Sequence, residues 1–403
     1  MENKKKGVCA PQGFLAAGIH SGIKKEKNDL ALVFCKVPCV TAAVYTSNQV
    51  KAAPLYVTME HLKDGKAQAV IANSGNANCC APFGRENAVR MARAAAEAVG
   101  IQEQDVIVAS TGIIGVQLEI EKIEKGIPSL VNALSEEGSS KAAEAIMTTA
   151  TYKKECAVDV ILNGKTVRIG GISKGSGMIH PNMGTTLTFL TTDVNIEQNL
   201  LQKALQYCVK RSFNRISIDG DTSTNDMACL MASGLAANSL IKKEDSQEYA
   251  IFVQALLEVC THLARELARD GEGSTRLISC TVCNSENEDK AETIAKAIIA
   301  STLTKAAMFG GDANWGRVLC AMGYSGVQFD IEKTDLYFKS VSGEIKACEN
   351  GKSLPFDNKS AKKILSEEEI HIIADLKEGN EKATAWGCDL TYEYVKINGM
   401  YRS

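Results

Sequence analysis

Short runs rich in β-branched residues alternate with alanine-rich segments of helical periodicity along most of this chain. Such alternation is typical of an α/β fold. The dipeptide Asn163-Gly164 favours a tight turn, so we predict a β-hairpin over 159–172. Further strands are predicted at 29–35, 40–47 and 67–73, and helices at 86–100, 198–211, 245–269 and 288–304.

Period-two alternation dominates the C-terminal part of the chain, in the segments VQFDIEK, DLYFKSV, EIHIIADL and ATAWGCDLTYEYVKI. Alternation of this kind is typical of strands with one buried face. We therefore expect a strand-rich C-terminal unit. No internal repeat and no proline-rich linker marks its boundary, although 403 residues are enough for about two to three domains.

Composition excludes several classes of partner. Lysine and arginine number 45 and aspartate and glutamate 48, a net charge of −3, which gives no electrostatic footprint for nucleic acid. No apolar run approaches the ~18–20 residues that a membrane span needs. The first residues, MENKKKGVCAPQGFLAAGIH, are basic but lack the apolar stretch of a signal peptide. We expect a cytoplasmic protein that binds neither nucleic acid nor membrane.

The fourteen cysteines are scattered, many of them in apolar surroundings. One CxxC pair, Cys280 and Cys283, lies in the strand-like run RLISCTVC, where alternation places the two thiols on opposite faces. No second CxxC and no HxxxH completes a zinc site. We therefore expect reduced core cysteines and no metal site.

The segment 169–193, IGGISKGSGMIHPNMGTTLTFLTTD, contains the most informative chemistry. Its glycines suggest a phosphate-binding loop, but such a loop needs GxxxxGK followed by Ser or Thr and then a helix. Here Lys174 precedes the glycines and a strand-like run follows them, so the order excludes that motif. Hydroxyl groups cluster after the turn, at Thr185, Thr186, Thr188, Thr191 and Thr192.

A threonine hydroxyl becomes a useful nucleophile only beside a base, and the free α-amine of the same threonine can serve. That arrangement requires cleavage of the preceding peptide bond. Gly184-Thr185 is the candidate bond, because glycine permits the strained backbone that an N-to-O acyl shift needs. Spacing alone leaves open the alternative that these threonines are ordinary strand residues.

Ten segments of the chain resemble the ornithine acetyltransferase / glutamate N-acetyltransferase family of arginine biosynthesis (ArgJ type). They occur in the family's order and together span nearly the whole chain. These segments are GFLAAGIHSGIK, TSNQVKAAP, NSGNAN, ASTGIIG, IMTTATYKK, KGSGMIHPNMGTTLTFLTTD, SFNRISIDGDTSTNDM, RDGEGSTR, MFGGDANWGR and VKINGMYRS.

The resemblance implies self-cleavage between Gly184 and Thr185, giving an α chain of 1–184 and a β chain of 185–403. Thr185 then occupies the nucleophile position, with its new amine as general base. Two residues of ASTGIIG, Thr111 and Gly112, match the oxyanion-hole pair; without the resemblance they would be interpreted as the end of a strand. The substrate-binding positions are matched by Thr148, Thr149, Lys174, Thr185, Glu272, Asn398 and Ser403.

The implied fold is a layered α-β-β-α core of the DmpA/ArgJ type with a smaller C-terminal α/β domain at about 282–403, assembled as an α₂β₂ heterotetramer. The implied reaction moves the acetyl group from N-acetyl-L-ornithine to L-glutamate through an acetyl-threonine intermediate. It requires neither a metal nor an organic cofactor. Some family members also use acetyl-CoA as donor, and the sequence leaves that choice open.

The chain departs from the family pattern at a few positions. Gly184 replaces the usual alanine, Ala150 stands where aspartate is common, and His180 replaces a small or acidic residue. Cys79 and Cys80 also depart from the usual continuation of NSGNAN. We interpret these as local variation. Two alternative functions remain: an N-terminal-threonine amidase or aminopeptidase, and an uncleaved protein that binds amino acids.

Overall fold

A computed structural model of the chain describes residues 7–180 and 186–400. Within these ranges it contains fifteen strands and eleven α-helices. The predicted cleavage residues Gly184 and Thr185, and the predicted substrate contact Ser403, lie outside the described residues.

The strands are β1 (Phe14–Ile19), β2 (Leu30–Tyr45), β3 (Lys66–Asn76), β4 (Val106–Ile113), β5 (Lys154–Leu162), β6 (Lys165–Lys174), β7 (Leu187–Thr192), β8 (Ile216–Ser217), β9 (Met227–Ala232), β10 (Leu277–Ser285), β11 (Asp335–Ser340), β12 (Gly343–Glu349), β13 (Lys352–Ser353), β14 (Glu369–Asp375) and β15 (Glu381–Cys388). The helices are α1 (Ala53–His61), α2 (Gly84–Val99), α3 (Ile120–Asn132), α4 (Ser139–Ala145), α5 (Gln198–Arg211), α6 (Gln247–Arg269), α7 (Glu288–Ala300), α8 (Thr302–Gly310), α9 (Trp315–Gly323), α10 (Asn358–Ile364) and α11 (Tyr392–Met400).

The first sheet has the strand order β4-β3-β2-β9-β7-β6-β5, with β1 also paired to β2. The two strands predicted at 29–35 and 40–47 form one long strand, β2, which pairs with β3 over 30–34 and with β9 over 40–45. Its register against β3 shifts between these stretches. Pro38 lies in the shifted stretch, where its missing N–H breaks no ladder hydrogen bond.

Three apolar cores show how this sheet is layered. Alternate residues of β9 face different cores: Cys229 shares one with Val70 of β3, whereas Leu230 packs with the apolar faces of α5 and α6. On β3, Ile71 packs with α2 and α3 in a third core. The two halves of the sheet thus share an inner core, and helices cover both outer faces. The expected α-β-β-α layering is confirmed.

The second sheet has the strand order β13-β12-β11-β14-β10-β15-β8. Its core combines β10, β11 and β14 with α7, α8 and α9, so the expected strand-rich C-terminal unit is confirmed. Its edge strand β8 comes from the middle of the chain and pairs with β15 through Ile216 and Trp386. Long-range pairing therefore joins this unit to the layered core.

Three local predictions in this unit were wrong. The helix predicted at 288–304 is broken at Ser301, which accepts a hydrogen bond from the N–H of Thr304 and so begins α8. The segment 327–333 forms no strand, and 392–400 forms helix α11. The hydroxyl of Thr391 accepts a hydrogen bond from the N–H of Tyr394 (3.3 Å), which favours the first turn of that helix.

No helix within the described part of the chain is both long and apolar enough to cross a membrane. All fourteen cysteines are free thiols, and Cys280 is buried in β10 while Cys283 is half-buried. Among residues 7–180 and 186–400, no cluster of three or more histidine, cysteine or carboxylate side chains could hold a metal ion.

The core between the sheet and α6 gives a test of the layering. Phe252 of α6 is fully buried there, so Phe252→Ala is expected to lower the free energy of unfolding by about 3–5 kcal/mol. The same substitution at Phe83, which is 68% exposed, should change it by less than about 0.5 kcal/mol. Urea denaturation measures both variants, and equal effects would contradict a buried position for this face of α6.

Candidate active site

A cavity of about 180 Å³ lies where the ends of β4 and β6 meet a loop before β9, the turn after α6, and α11. It contains both cationic and anionic side chains. The structure brings together seven of the residues that the sequence singled out, namely Thr111, Gly112, Thr148, Thr149, Lys174, Glu272 and Asn398.

Thr111 and Gly112 lie near the end of strand β4, and the parallel neighbour β3 places Gly75 directly opposite Gly112. Gly112 has φ +136°, and a Cβ there would lie 2.3 Å from the carbonyl carbon of Gly75. Only glycine permits this backbone and this close approach. The end of β4 is thereby fixed with its Thr111-Gly112 segment at the cavity wall, where backbone N–H groups can stabilise a developing oxyanion.

Lys174 ends strand β6 and reaches across to β4, where its Nζ donates a hydrogen bond to the hydroxyl of Thr111 (2.8 Å). Burial lowers the pKa of Lys174 to about 8, and the nearby Asp226 carboxyl opposes that shift. Lys174 is thus a cation of reduced basicity directly beside the candidate oxyanion-hole residue.

Thr148 and Thr149 follow helix α4 and both line the cavity. The Thr149 and Ser176 hydroxyls share a hydrogen bond of 2.7 Å, which ties the segment after α4 to the glycine turn after β6. The sequence left open which threonine contacts the substrate, and both positions have access to the cavity.

Glu272 supplies the anionic side of the cavity. Its backbone N–H donates to the carbonyl of Ser176 (2.8 Å), and its carboxylate lies against Gly177, where a Cβ would be 2.6 Å from the Glu272 Cδ. Asn398 of α11 donates from Nδ2 to Glu272 Oε2 (2.8 Å). This contact docks the C-terminal helix on the cavity, 126 residues away from Glu272 in sequence.

The predicted nucleophile Thr185 lies outside the described residues, but the next residue, Thr186, lies beside the end of β6. Thr186 is buried and packs closely on Gly175, since a Cβ added to Gly175 would lie 2.6 Å from the Thr186 Cγ2. The hydroxyl oxygens of Thr186 and Ser173 are 3.3 Å apart. Gly175 and Ser173 flank Lys174. Thr186 therefore lies beside the end of β6 that borders the cavity.

Sequence reasoning missed three positions in the segment SIDGDTSTND. Asp219 accepts hydrogen bonds from the N–H groups of Met178 (2.6 Å) and Ile179 (2.9 Å), which shapes the cavity wall. Asn225 donates to the carbonyl of Ser110 (2.7 Å) and so supports the end of β4. The third position, Asp226, is buried directly before β9. The sequence feature that could have indicated these positions is the dense run of polar residues between two short strands.

The departures from the family pattern occupy different surroundings. Ala150 is buried beside the two cavity threonines, and His180 shares a hydrogen bond with the hydroxyl of Ser217 (2.9 Å). The thiols of Cys79 and Cys80 are 3.7 Å apart. Cys79 packs beside Ile114, just after the Thr111-Gly112 segment. None of these four residues lines the cavity.

A layered α-β-β-α core in which the end of β4, a half-buried lysine and a glutamate face one cavity fits an enzyme of the acyl-transfer class. The chain belongs to the ArgJ family, which it matches over residues 15–403. It is 51% identical, over 98% of both chains, to the arginine biosynthesis bifunctional protein ArgJ of Caldanaerobacter subterraneus subsp. tengcongensis. It is 50% identical to the ArgJ protein of Symbiobacterium thermophilum, again over 98% of both chains.

Among solved structures, the chain resembles the arginine biosynthesis bifunctional protein ArgJ of Bacillus halodurans, with a TM-score of 0.50 and 43% sequence identity. The match covers 98% of that solved chain and 53% of the present one. The solved chain is thus about half as long as the chain described here.

The close approach of Gly112 to β3 predicts that an added side chain is more destabilising at Gly112 than at Gly115. Gly112→Ala introduces both an unfavourable φ and a collision with β3, whereas Gly115→Ala, at φ +79° with no atom within 4 Å of the new Cβ, introduces only the first. Backbone strain alone costs about 1–3 kcal/mol. We expect Gly112→Ala to lower the free energy of unfolding by at least about 1 kcal/mol more than Gly115→Ala. Equal losses in urea denaturation would contradict the close packing of β3 and β4.

Proposed function

We propose that the chain is a glutamate N-acetyltransferase that moves the acetyl group of N-acetyl-L-ornithine to L-glutamate. The observation that supports this most directly is one cavity in which Thr111-Gly112, Lys174 and Glu272 face a common space. Membership of the ArgJ family and relatives named as arginine biosynthesis proteins support the same assignment.

The proposed reaction has two acyl transfers. The Thr185 hydroxyl attacks the acetyl carbonyl of N-acetylornithine and gives its proton to the α-amine of Thr185. Thr111 and Gly112 stabilise the oxyanion, and ornithine leaves with that proton as the amide C–N bond breaks. The amine of glutamate then attacks the acetyl ester, which releases N-acetylglutamate and returns a proton to the Thr185 oxygen.

The charges in the cavity suit amino-acid substrates. Lys174 is the proposed partner of a substrate carboxylate and Glu272 that of a substrate ammonium, while Thr148, Thr149, Asn398 and Ser403 complete the proposed contacts. A substrate with both charges needs one cation and one anion set apart, and two strand ends and a turn hold these side chains on separate elements.

Self-cleavage at Gly184-Thr185 would leave pieces of 184 and 219 residues, the larger being 54% of the 403-residue chain. The Bacillus halodurans chain, at about half the present length, supports a protein that exists as two pieces. Pairing of β6 with β7 and of β2 with β9 would hold pieces 1–184 and 185–403 in one sheet.

We further propose an α₂β₂ assembly of these pieces, a C-terminal α/β domain at about 282–403, and a cytoplasmic location for the enzyme. The names of the relatives include the word bifunctional, and we propose that the second activity uses acetyl-CoA as the acetyl donor.

Incubation of the purified protein with N-acetylornithine, with and without glutamate, tests the proposed function against its alternatives. We expect N-acetylglutamate and ornithine to form together and only when glutamate is present. Release of acetate at the same rate without glutamate would contradict the transferase and favour an amidase. Binding of ornithine with no turnover would favour the amino-acid-binding alternative.

Glu272→Gln tests the proposed contact with the substrate ammonium. Loss of one charge-assisted hydrogen bond costs about 1.5–3 kcal/mol, so KM for N-acetylornithine is expected to rise about 10- to 100-fold. The same substitution at the exposed Glu97 of α2 is the control and should leave KM unchanged. Steady-state kinetics measure both variants, and an unaltered KM in Glu272→Gln would contradict this contact.

A further inference from the structure

Two adjacent cysteines, Cys79 and Cys80, lie side by side in the loop between β3 and α2. Their Sγ atoms are 3.7 Å apart. Cys79 is 1% exposed, whereas Cys80 is exposed to solvent. The loop therefore presents one accessible thiol with a second thiol directly behind it. Cysteines that respond to oxidants typically combine these two features, access from solvent and a second thiol within reach.

The other close thiols of the chain lack access to solvent. All fourteen cysteines are among the described residues, and of these only Cys80 and Cys320 are exposed. Two further pairs of thiols are hydrogen-bonded to each other but fully buried, namely Cys35 with Cys39 and Cys208 with Cys260. Among the thiol pairs in hydrogen-bond contact within the described residues, only the pair at 79–80 has a member that a reagent in solution can reach.

The backbone of Cys79 contacts the end of β4 that borders the active-site cavity. The N–H of Gly115 donates to the carbonyl of Cys79 (2.9 Å). The Cys79 side chain packs beside Ile114, which lines the cavity. Cys79 thus holds the segment that directly follows Thr111-Gly112, the candidate oxyanion-hole pair.

Two further contacts tie the same loop to β4. The N–H of Ala77 donates to the carbonyl of Ile113 (2.9 Å). The side-chain amide of Asn225 donates to the carbonyls of both Ala77 and Ser110 (2.7 Å each), so one side chain clamps the loop onto the strand. Because the loop and the strand end are joined on both sides of the oxyanion-hole pair, a displacement of the loop is transmitted to that pair.

A disulfide between Cys79 and Cys80 would displace this loop. Adjacent Cα atoms are about 3.8 Å apart, whereas ordinary disulfides join Cα atoms about 4.4–6.8 Å apart. Asn78 and Cys80 already have left-handed backbones, with φ +47° and +52°, so the loop has little freedom to adjust without a change of conformation. A bond between the two sulfurs is therefore strained, which makes it easy to reduce again.

We propose that Cys79 and Cys80 are a redox modification site, at which oxidation by a small-molecule disulfide closes a bond between them and slows acetyl transfer by distorting the end of β4. This regulation acts on the cavity of the proposed function and so rests on that function. Reduction by a dithiol reopens the bond and restores the strand end.

The chemistry is two successive thiol–disulfide exchanges. The Cys80 thiol loses its proton, and its sulfur attacks one sulfur of the small disulfide, which leaves as a thiolate. The Cys79 thiol then loses its proton and attacks the Cys80 sulfur, which breaks the mixed bond and releases the second thiolate. The two thiolates take up the two protons, so the cysteines are oxidised and the small disulfide is reduced to two thiols. Burial raises the pKa of the Cys79 thiol, which leaves the first attack to Cys80.

The test treats the reduced, purified protein with oxidised glutathione and measures both peptide mass and acetyl transfer. We expect the peptide that contains both cysteines to lose the mass of two hydrogen atoms. We expect kcat to fall about tenfold or more, since a misplaced oxyanion donor costs up to about 10²–10³ in rate. Dithiothreitol should reverse both changes, which a merely structural role of these residues would not produce.

Three variants separate the proposed bond from other effects. Cys80→Ser should keep the activity of the reduced enzyme and resist oxidised glutathione, whereas Cys320→Ser, at the other exposed cysteine, should remain sensitive. Cys79→Ala can form only the mixed disulfide at Cys80, and it should stay active when so modified. Equal inactivation of Cys79→Ala would assign the effect to attached glutathione and overturn the inference.

The inference would also be overturned if no bond forms at 79–80, or if the bond forms and acetyl transfer continues at its former rate. Both results leave the transferase intact. A fully reduced wild-type protein that transfers no acetyl group would instead overturn the proposed function, and the proposed effect on acetyl transfer with it.

Discussion

The antiparallel pairing of β6 with β7 is the constraint on which the site depends. Lys174 at the end of β6 lies opposite Leu187 at the start of β7. The connection between the two strands therefore begins and finishes at the same end of the sheet. The proposed cleavage bond falls inside that interval. The hydrogen bonds of the ladder do not require an intact bond at 184–185, so a cut there would leave the sheet and its inner core joined.

The charged groups of the cavity lie at this same end of the strands. Lys174 reaches it from the end of β6, and Glu272 from the turn after α6. Taking such groups out of water is unfavourable unless opposite charges compensate, and here each lies near one of opposite sign. A site with little water also strengthens every hydrogen bond aimed at a developing oxyanion. The arrangement that stabilises the buried charges thus also suits acyl transfer.

Local signals in the sequence predicted most of the elements but few of the contacts. The hairpin around Asn163-Gly164 and helix α5 at 198–211 were predicted because turn chemistry and helical periodicity are local properties. The merging of two predicted strands into β2 depends on distant partners, β3 and β9, and was not predicted. Helix α11 was missed although its cap, Thr391, is local. In the site, Lys174 meets Thr111 across 63 residues, and only the family resemblance indicated either residue.

The central claim is that a free N-terminal Thr185 receives the acetyl group. Intact-mass measurement of the purified protein, before and after N-acetylornithine is added without glutamate, tests it most directly. The account predicts two pieces that begin at Met1 and Thr185, of which only the second gains the mass of one acetyl group, and glutamate should remove that gain. A single uncut chain that still transfers acetyl groups, or an acetyl group on the first piece, would contradict it.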